Sequence, residues 1–143
     1  MDIDQPIIVA TKSGKLEGSR EDSQCVFKGI PYAAPPVGAL RWHSPQPVAS
    51  WNGVRPAKEF GPIAAQNTMP GSEIMANLMA TERRNENCLF LNIWTPGIDD
   101  ARRPVMVWIH GGAFLIGSGS QDMFRGNTLV SNRNVVLVTI NYR

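Results

Sequence analysis

Two short apolar runs constrain this chain most. Val105-Met106-Val107-Trp108-Ile109 and Val135-Val136-Leu137-Val138-Thr139-Ile140 show almost no polar alternation. A strand with one wet face alternates apolar and polar residues, whereas a strand apolar on both faces asks for cover on both. Both runs are therefore expected to be central strands. They fall far short of the roughly 20 residues needed to cross a membrane. The 25 residues between Ile109 and Val135 suffice for a right-handed crossover, with a short helix expected over Arg125 to Arg133. Together they read as a parallel βαβ unit.

Upstream the pattern changes. Ile7 to Thr11 is β-rich, Ser13-Gly14-Lys15 supplies a turn, and Leu16-Glu17-Gly18 resumes, as in an antiparallel hairpin. Cys25 to Ile30 reads as another strand, stopped by Pro31. Leu89 to Thr95 reads as a strand closed by Pro96-Gly97, followed by a charged turn over Asp99 to Arg103. The class is α/β, with antiparallel strands leading into the start of a mostly parallel sheet. Between these parts, Pro31 to Pro62 is rich in proline but interspersed with Trp42, Val48, Trp51 and Phe60, so it is expected to be ordered coil anchored on a core. Ile74 to Ala80 has helical propensity, with Ser72 as a candidate N-cap. Thr81 to Asn87 is expected to be an exposed loop, and no internal repeat is visible.

Composition excludes several functions. Lysine and arginine number 14 against 12 acids, which gives no electrostatic case for nucleic acid. With 43% hydrophobic and 18% charged residues the chain is suited to an ordered core. Its 143 residues match the usual size of one domain. Two cysteines, Cys25 and Cys88, are too few for a disulfide scaffold and are expected to be buried hydrophobes. Asp2 and Asp4 stand where a signal peptide would be basic, and the apolar stretch Ile7 to Ala10 is too short for a signal core. The expectation is a cytoplasmic protein with reduced thiols, no membrane segment and no nucleic-acid partner.

The chemistry-bearing motif is His110-Gly111-Gly112-Ala113-Phe114, directly after the first apolar run. Ligands in open α/β sheets bind at the carboxyl ends of parallel strands. Small residues there leave backbone N–H groups unshielded and free to converge on one point. Such donors stabilise the oxyanion of ester hydrolysis. A structural glycine turn is the plain alternative. A phosphate loop is weaker, because Ser118 follows Gly117 where lysine is required. His43 is expected at the surface, and Ser118 and Ser120 as turn residues lacking a local base. Trp42, Trp51, Trp94 and Trp108 are expected in the core.

Taken in order, further blocks resemble a known family. They are Phe27 to Gly38, Leu40-Arg41-Trp42, Trp51 to Arg55, Phe60-Gly61-Pro62, Glu86 to Trp94, Pro104 to Gly119 and Val135 to Arg143. Together they resemble the type-B carboxylesterases, the α/β-hydrolases that include cholinesterases and p-nitrobenzyl esterases. The resemblance implies a serine esterase of small-molecule carboxylic esters with no cofactor and no metal. It implies oxyanion N–H groups on Gly112 and Ala113, with Gly111 shaping the turn. His110 would support the loop, and Phe114 and Leu115 would line the pocket or brace the loop. Arg41 and Glu86 would pair and pin the Pro-rich coil.

The chain also departs from that pattern. It contains no Gly-x-Ser-x-Gly elbow, and neither His43 nor His110 matches the family's base. Ala64 stands where the secreted branch has the cysteine that pairs with the position of Cys88, and Asn87 where an acid is usual. Residues 1–143 are thus expected to be an incomplete N-terminal portion of one catalytic domain, inactive alone, whose partner is the remainder of that domain. The rival reading is a non-catalytic, cholinesterase-like binding or adhesion protein, or a truncated remnant.

Overall fold

In the computed structural model, residues 6–67 and 83–143 are described. The helix expected over Ile74 to Ala80 and its cap at Ser72 lie outside them. Among the described residues seven strands follow in chain order: β1 (Ile7–Ala10), β2 (Lys15–Glu21), β3 (Gln24–Pro31), β4 (Val54–Pro56), β5 (Phe90–Thr95), β6 (Val105–Ile109) and β7 (Val136–Ile140). One helix, α1 (Asn127–Arg133), lies in the crossover between β6 and β7. It ends at Asn134, whose left-handed φ of 51° stops the helix.

The strands run β1-β2-β3-β5-β7-β6, with β4 beside β2. The first half of β2 pairs with antiparallel β1 and parallel β4, and its second half with β3. Asp22 and Ser23, both at positive φ, make the two-residue turn between β2 and β3. From β3 the ladder continues antiparallel through β5 to β7, and β7 pairs parallel with β6. Lys28 and Gly29 of β3 together oppose Asn92 of β5, which is a β-bulge. The Asn92 Oδ1 accepts the Gly29 N–H at 2.9 Å, so the side chain replaces the rung that the bulge interrupts.

The core sits on both sides of β3. Cys25, Phe27 and Ile30 pack with Leu16 and Ala57 on one face. Val26 turns to the other face and joins Trp94 of β5, Val130 of α1 and Leu137 of β7. The coil at residues 31–62 is ordered, as its composition indicates, and it contains β4. Trp94 is buried, but Trp42 is 79% exposed and Trp108 of β6 is also largely open.

Of the two apolar runs expected to be central strands, one is central and the other needs correction. The run at Val135 to Ile140 is paired on both sides, because the last strand inserts between β5 and β6. The open edge belongs instead to β6. Each of its five residues is between 42% and 63% exposed, so the strand written for double cover is left largely open among the described residues, with Phe124 packed on Trp108 at 5.0 Å. Position along the chain did not equal position across the sheet.

Candidate active site

β6 delivers the chain to His110 at the carboxyl end of the parallel pair. The next seven residues fold back on themselves. The N–H groups of Leu115 and Ile116 both donate to the Gly112 carbonyl, at 2.9 and 3.1 Å. Gly112 and Gly117 each adopt φ of +123°, outside the comfortable range of other residues. A Cβ on Gly112 would lie 1.8 Å from the Ile116 carbonyl oxygen. On Gly117 it would lie 2.4 Å from both the Gly111 oxygen and the His110 ring. The loop can close this tightly because those two positions carry no side chain.

Ala113 and Phe114 occupy left-handed backbone at φ of 54° and 59°. Such strain in non-glycine residues concentrates where function or a tight turn demands it. Among the described residues, no acceptor meets the N–H of Gly112 or of Ala113. Phe114 projects outward at 93% exposure, and Leu115 is exposed beside it.

The base of the loop is aromatic and polar. His110 is buried, its ring stacked on Tyr142 at 4.4 Å and 13°. Tyr142 donates its hydroxyl to the His110 carbonyl at 2.9 Å, tying the residues that follow β7 to the start of the loop. The Phe114 ring meets Tyr142 edge-on at 6.4 Å. His110 Nδ1 lies 2.9 Å from the Gly111 oxygen.

Behind the loop, residues 117–121 lie on a buried polar layer. Thr139 donates its hydroxyl to the Gly119 carbonyl at 2.6 Å, and Asn92 Nδ2 donates to the Thr139 Oγ1 at 3.0 Å. The Gly119 N–H donates to Asn141 Oδ1 at 2.8 Å, and Asn141 Nδ2 reaches the Pro62 carbonyl. Tyr32 donates its hydroxyl to the Asn141 carbonyl at 2.7 Å, and burial pushes that phenol's pKa up. Buried polar groups are costly unless paired. Here the bonds to Gly119 hold the backbone leaving the loop, and the others hold the side chains that make them.

On the coil side, Arg41 Nε donates to Glu86 Oε1 at 2.5 Å, with the guanidinium over the Trp42 ring. Both charged side chains are about half exposed, which limits such a pair to at most about 1 kcal/mol. Glu86 and Arg41 border a cavity of about 130 Å³ that also reaches Ala64, Cys88 and Arg143. Cys88 is a free, buried thiol packed near Ala64, and burial raises its pKa, which disfavours the reactive thiolate. Cys25 is likewise free and buried. His43 is exposed, with its carbonyl taken by the Arg143 guanidinium. Ser118 and Ser120 are buried and bonded to each other. No cluster of metal-ligating side chains occurs among the described residues, and no described helix is long and apolar enough to cross a membrane.

The structure therefore brings His110, Gly111, Gly112 and Ala113 together at one strand end, and keeps the Arg41–Glu86 pair in the neighbouring coil. Sequence reasoning missed Asn92, Thr139, Asn141 and Tyr142. The available signal was a lone polar residue inside an apolar strand, at Asn92 and at Thr139. Those two face each other in the β5–β7 register.

A family model described as the carboxylesterase family matches residues 5–143. Phenmedipham hydrolase of Pseudarthrobacter oxydans is 45% identical over 136 residues, covering 95% of this chain and 28% of that protein. Para-nitrobenzyl esterase of Bacillus subtilis (strain 168) is 40% identical, covering 95% and 27%. A Geobacillus stearothermophilus carboxylesterase structure at pH 6.8 superposes with a TM-score of 0.83 at 44% identity, covering 95% of this chain and 26% of that one. A thermophilic p-nitrobenzyl esterase gives 0.86 at 40% identity, covering 95% and 28%. The chain thus spans about a quarter of the length of the curated relatives it matches. It carries part of an α/β-hydrolase fold, with the glycine loop at the carboxyl end of its parallel strand pair, and it belongs to the carboxylesterase family.

Proposed function

We propose that residues 1–143 are the N-terminal portion of a single α/β-hydrolase catalytic domain, and that the complete protein is a serine carboxylesterase. The observation that carries this is the closed loop after β6, with its Gly112 and Ala113 N–H groups left without an intrachain acceptor among the described residues. In this reading a serine supplied by the rest of the domain attacks the ester carbonyl, an acyl-enzyme forms, and water releases the acid. Gly112 and Ala113 donate to the tetrahedral oxyanion, where each donor is worth roughly 10²–10³ in turnover. Gly111 sets the entry to the loop, His110 braces it, and Phe114 and Leu115 face the substrate. The Arg41–Glu86 pair holds the coil beside the site. The chemistry needs nothing beyond serine, acid, base and backbone donors.

Residues 1–143 alone lack the nucleophile and are expected to hydrolyse no p-nitrophenyl ester above background. Free Cys25 and Cys88, with alanine at 64, support a cytoplasmic location. The deciding variant is Ala113→Pro in the complete protein. Proline has no N–H and cannot take the φ of 54° seen at this position. Turnover should fall by about 10²–10³ in protein that still folds. Unchanged turnover per folded molecule would overturn the assignment.

A further inference from the structure

Gln66 lies in the coil after Phe60-Gly61-Pro62, far in sequence from the glycine loop, yet its side chain grips the end of that loop. Gln66 Oε1 accepts the Gly117 N–H at 2.7 Å, and Gln66 Nε2 donates to the Gly117 carbonyl at 3.0 Å. One planar amide thereby satisfies both backbone groups of a single residue, as a neighbouring strand would. Glutamine and asparagine are the side chains that offer a donor and an acceptor in this arrangement, and asparagine is one methylene shorter.

The amide is itself held in place. Its Nε2 also donates to the Ala64 carbonyl at 3.1 Å, and the Gln66 carbonyl accepts from Arg84 Nη1 at 3.1 Å. The Ile63 N–H donates to the Arg83 carbonyl, and the Asn85 N–H to the Ile63 carbonyl, which staples this coil to residues 83–85. At the other end, Gly117 sits against the His110 ring and the Gly111 oxygen, with no room for a Cβ between them. The residue that Gln66 holds is thus the one that closes the loop onto its own first turn.

We propose that Gln66 is a positioning residue for ester hydrolysis. By clamping Gly117 it fixes the loop closure that aims the Gly112 and Ala113 N–H groups at one point. This rests on the donor assignment proposed above. Gln66 does not touch the reacting atoms. It acts through Gly117, so its loss weakens transition-state binding and leaves ground-state substrate binding nearly intact.

The test uses Gln66→Ala, Gln66→Asn and Gln66→Glu in the complete protein, with Ala113→Pro beside them. Alanine removes both bonds, asparagine cannot span the gap, and glutamate cannot donate to the Gly117 carbonyl at neutral pH. The expected result is a fall in kcat of about 10–100-fold with KM within threefold, a fraction of the ~10²–10³ for a lost donor. The inhibition constant of an aryl trifluoromethyl ketone should rise by the same factor as kcat/KM falls, since it mimics the oxyanion. The constant for the matching unreactive alkyl ether should stay put. Faster amide exchange at Gly117 gives a second readout that needs no turnover. Values of kcat within twofold of wild type, or equal weakening of ketone and ether, overturn the proposal. If Ala113→Pro cripples turnover and the Gln66 variants do not, the clamp alone fails. If Ala113→Pro is harmless, the donor assignment fails, and the clamp with it.

Discussion

β3 and β6 are both strongly apolar strands, and the fold treats them in opposite ways. β3 lies between β2 and β5, with Phe27 packed on one face and Val26 on the other. β6 has one neighbour, β7, and both of its faces stay largely open among the described residues, with Phe124 against Trp108. Sequence alone would rank them the other way, because β3 contains Gln24, Lys28 and Gly29 while β6 contains no polar residue. Apolar composition thus records what a strand requires, and the topology decides whether these residues supply it. For β6 the described residues leave the requirement largely unmet, in a chain that spans about a quarter of the length of its relatives.

The contrast can be broken most severely at Phe27. Phe27→Ala should cost about 3–5 kcal/mol, read from urea midpoints at protein concentrations low enough for flat light scattering. Val107→Ala on β6 should cost under about 1 kcal/mol in the same chain, and about 2 kcal/mol in a longer one that covers it. Equal costs for Val107 in both contexts would show that β6 is not waiting for cover. Asn92→Ala tests the covered side through its polar layer. It leaves the Gly29 N–H without its acceptor and removes the donor to the Thr139 Oγ1, and should cost about 1–3 kcal/mol.

The open side is tested by association rather than stability. Expressed alone, the chain should aggregate through β6, a flat edge without a guarding charge. Val107→Lys should raise the monomer fraction on gel filtration, whereas a lysine at solvent-facing Arg20 of β2 should not. The smallest effect is expected at Asp99, at the exposed turn before β6. The Arg103 guanidinium and the Ala101 N–H hold its carboxyl down to about 2. A lowered folded-state value stabilises above the ordinary carboxylate range, and that contribution is lost as pH falls from about 4 through about 2. Asp99→Asn should flatten this part of the acid-stability curve, lowering stability slightly at neutral pH and leaving the acid end near pH 2 unchanged.

How much of this was legible in the residues depends on the kind of signal. β1, β3, β5, β6 and β7 were readable because apolar runs bounded by turn residues have few other uses. The two-residue turn at Asp22-Ser23 was not read, since neither residue is glycine. β4 hid in proline-rich coil, because three residues make no pattern. Strand order was illegible in principle: nothing in Val135 to Ile140 states that it inserts beside β5. The glycine loop was visible as a motif, but its closure depends on Gly117 meeting His110, Gly111 and a glutamine about 50 residues upstream. Tyr142 stacking on His110 is likewise a consequence of the parallel register, which places the ends of β6 and β7 side by side.

The insertion of β7 also sets an order of events during synthesis. β6 leaves the ribosome before the strand that will hold it, and 26 residues, 110–135, separate the two. At typical elongation rates that is a delay of about 1–5 s, far longer than hydrophobic collapse. Throughout it, Val105 to Ile109 has no slot in the growing sheet, although β1 to β5 can already pair. The nascent chain therefore passes through a stage in which a wholly apolar strand is the one without a place in the sheet.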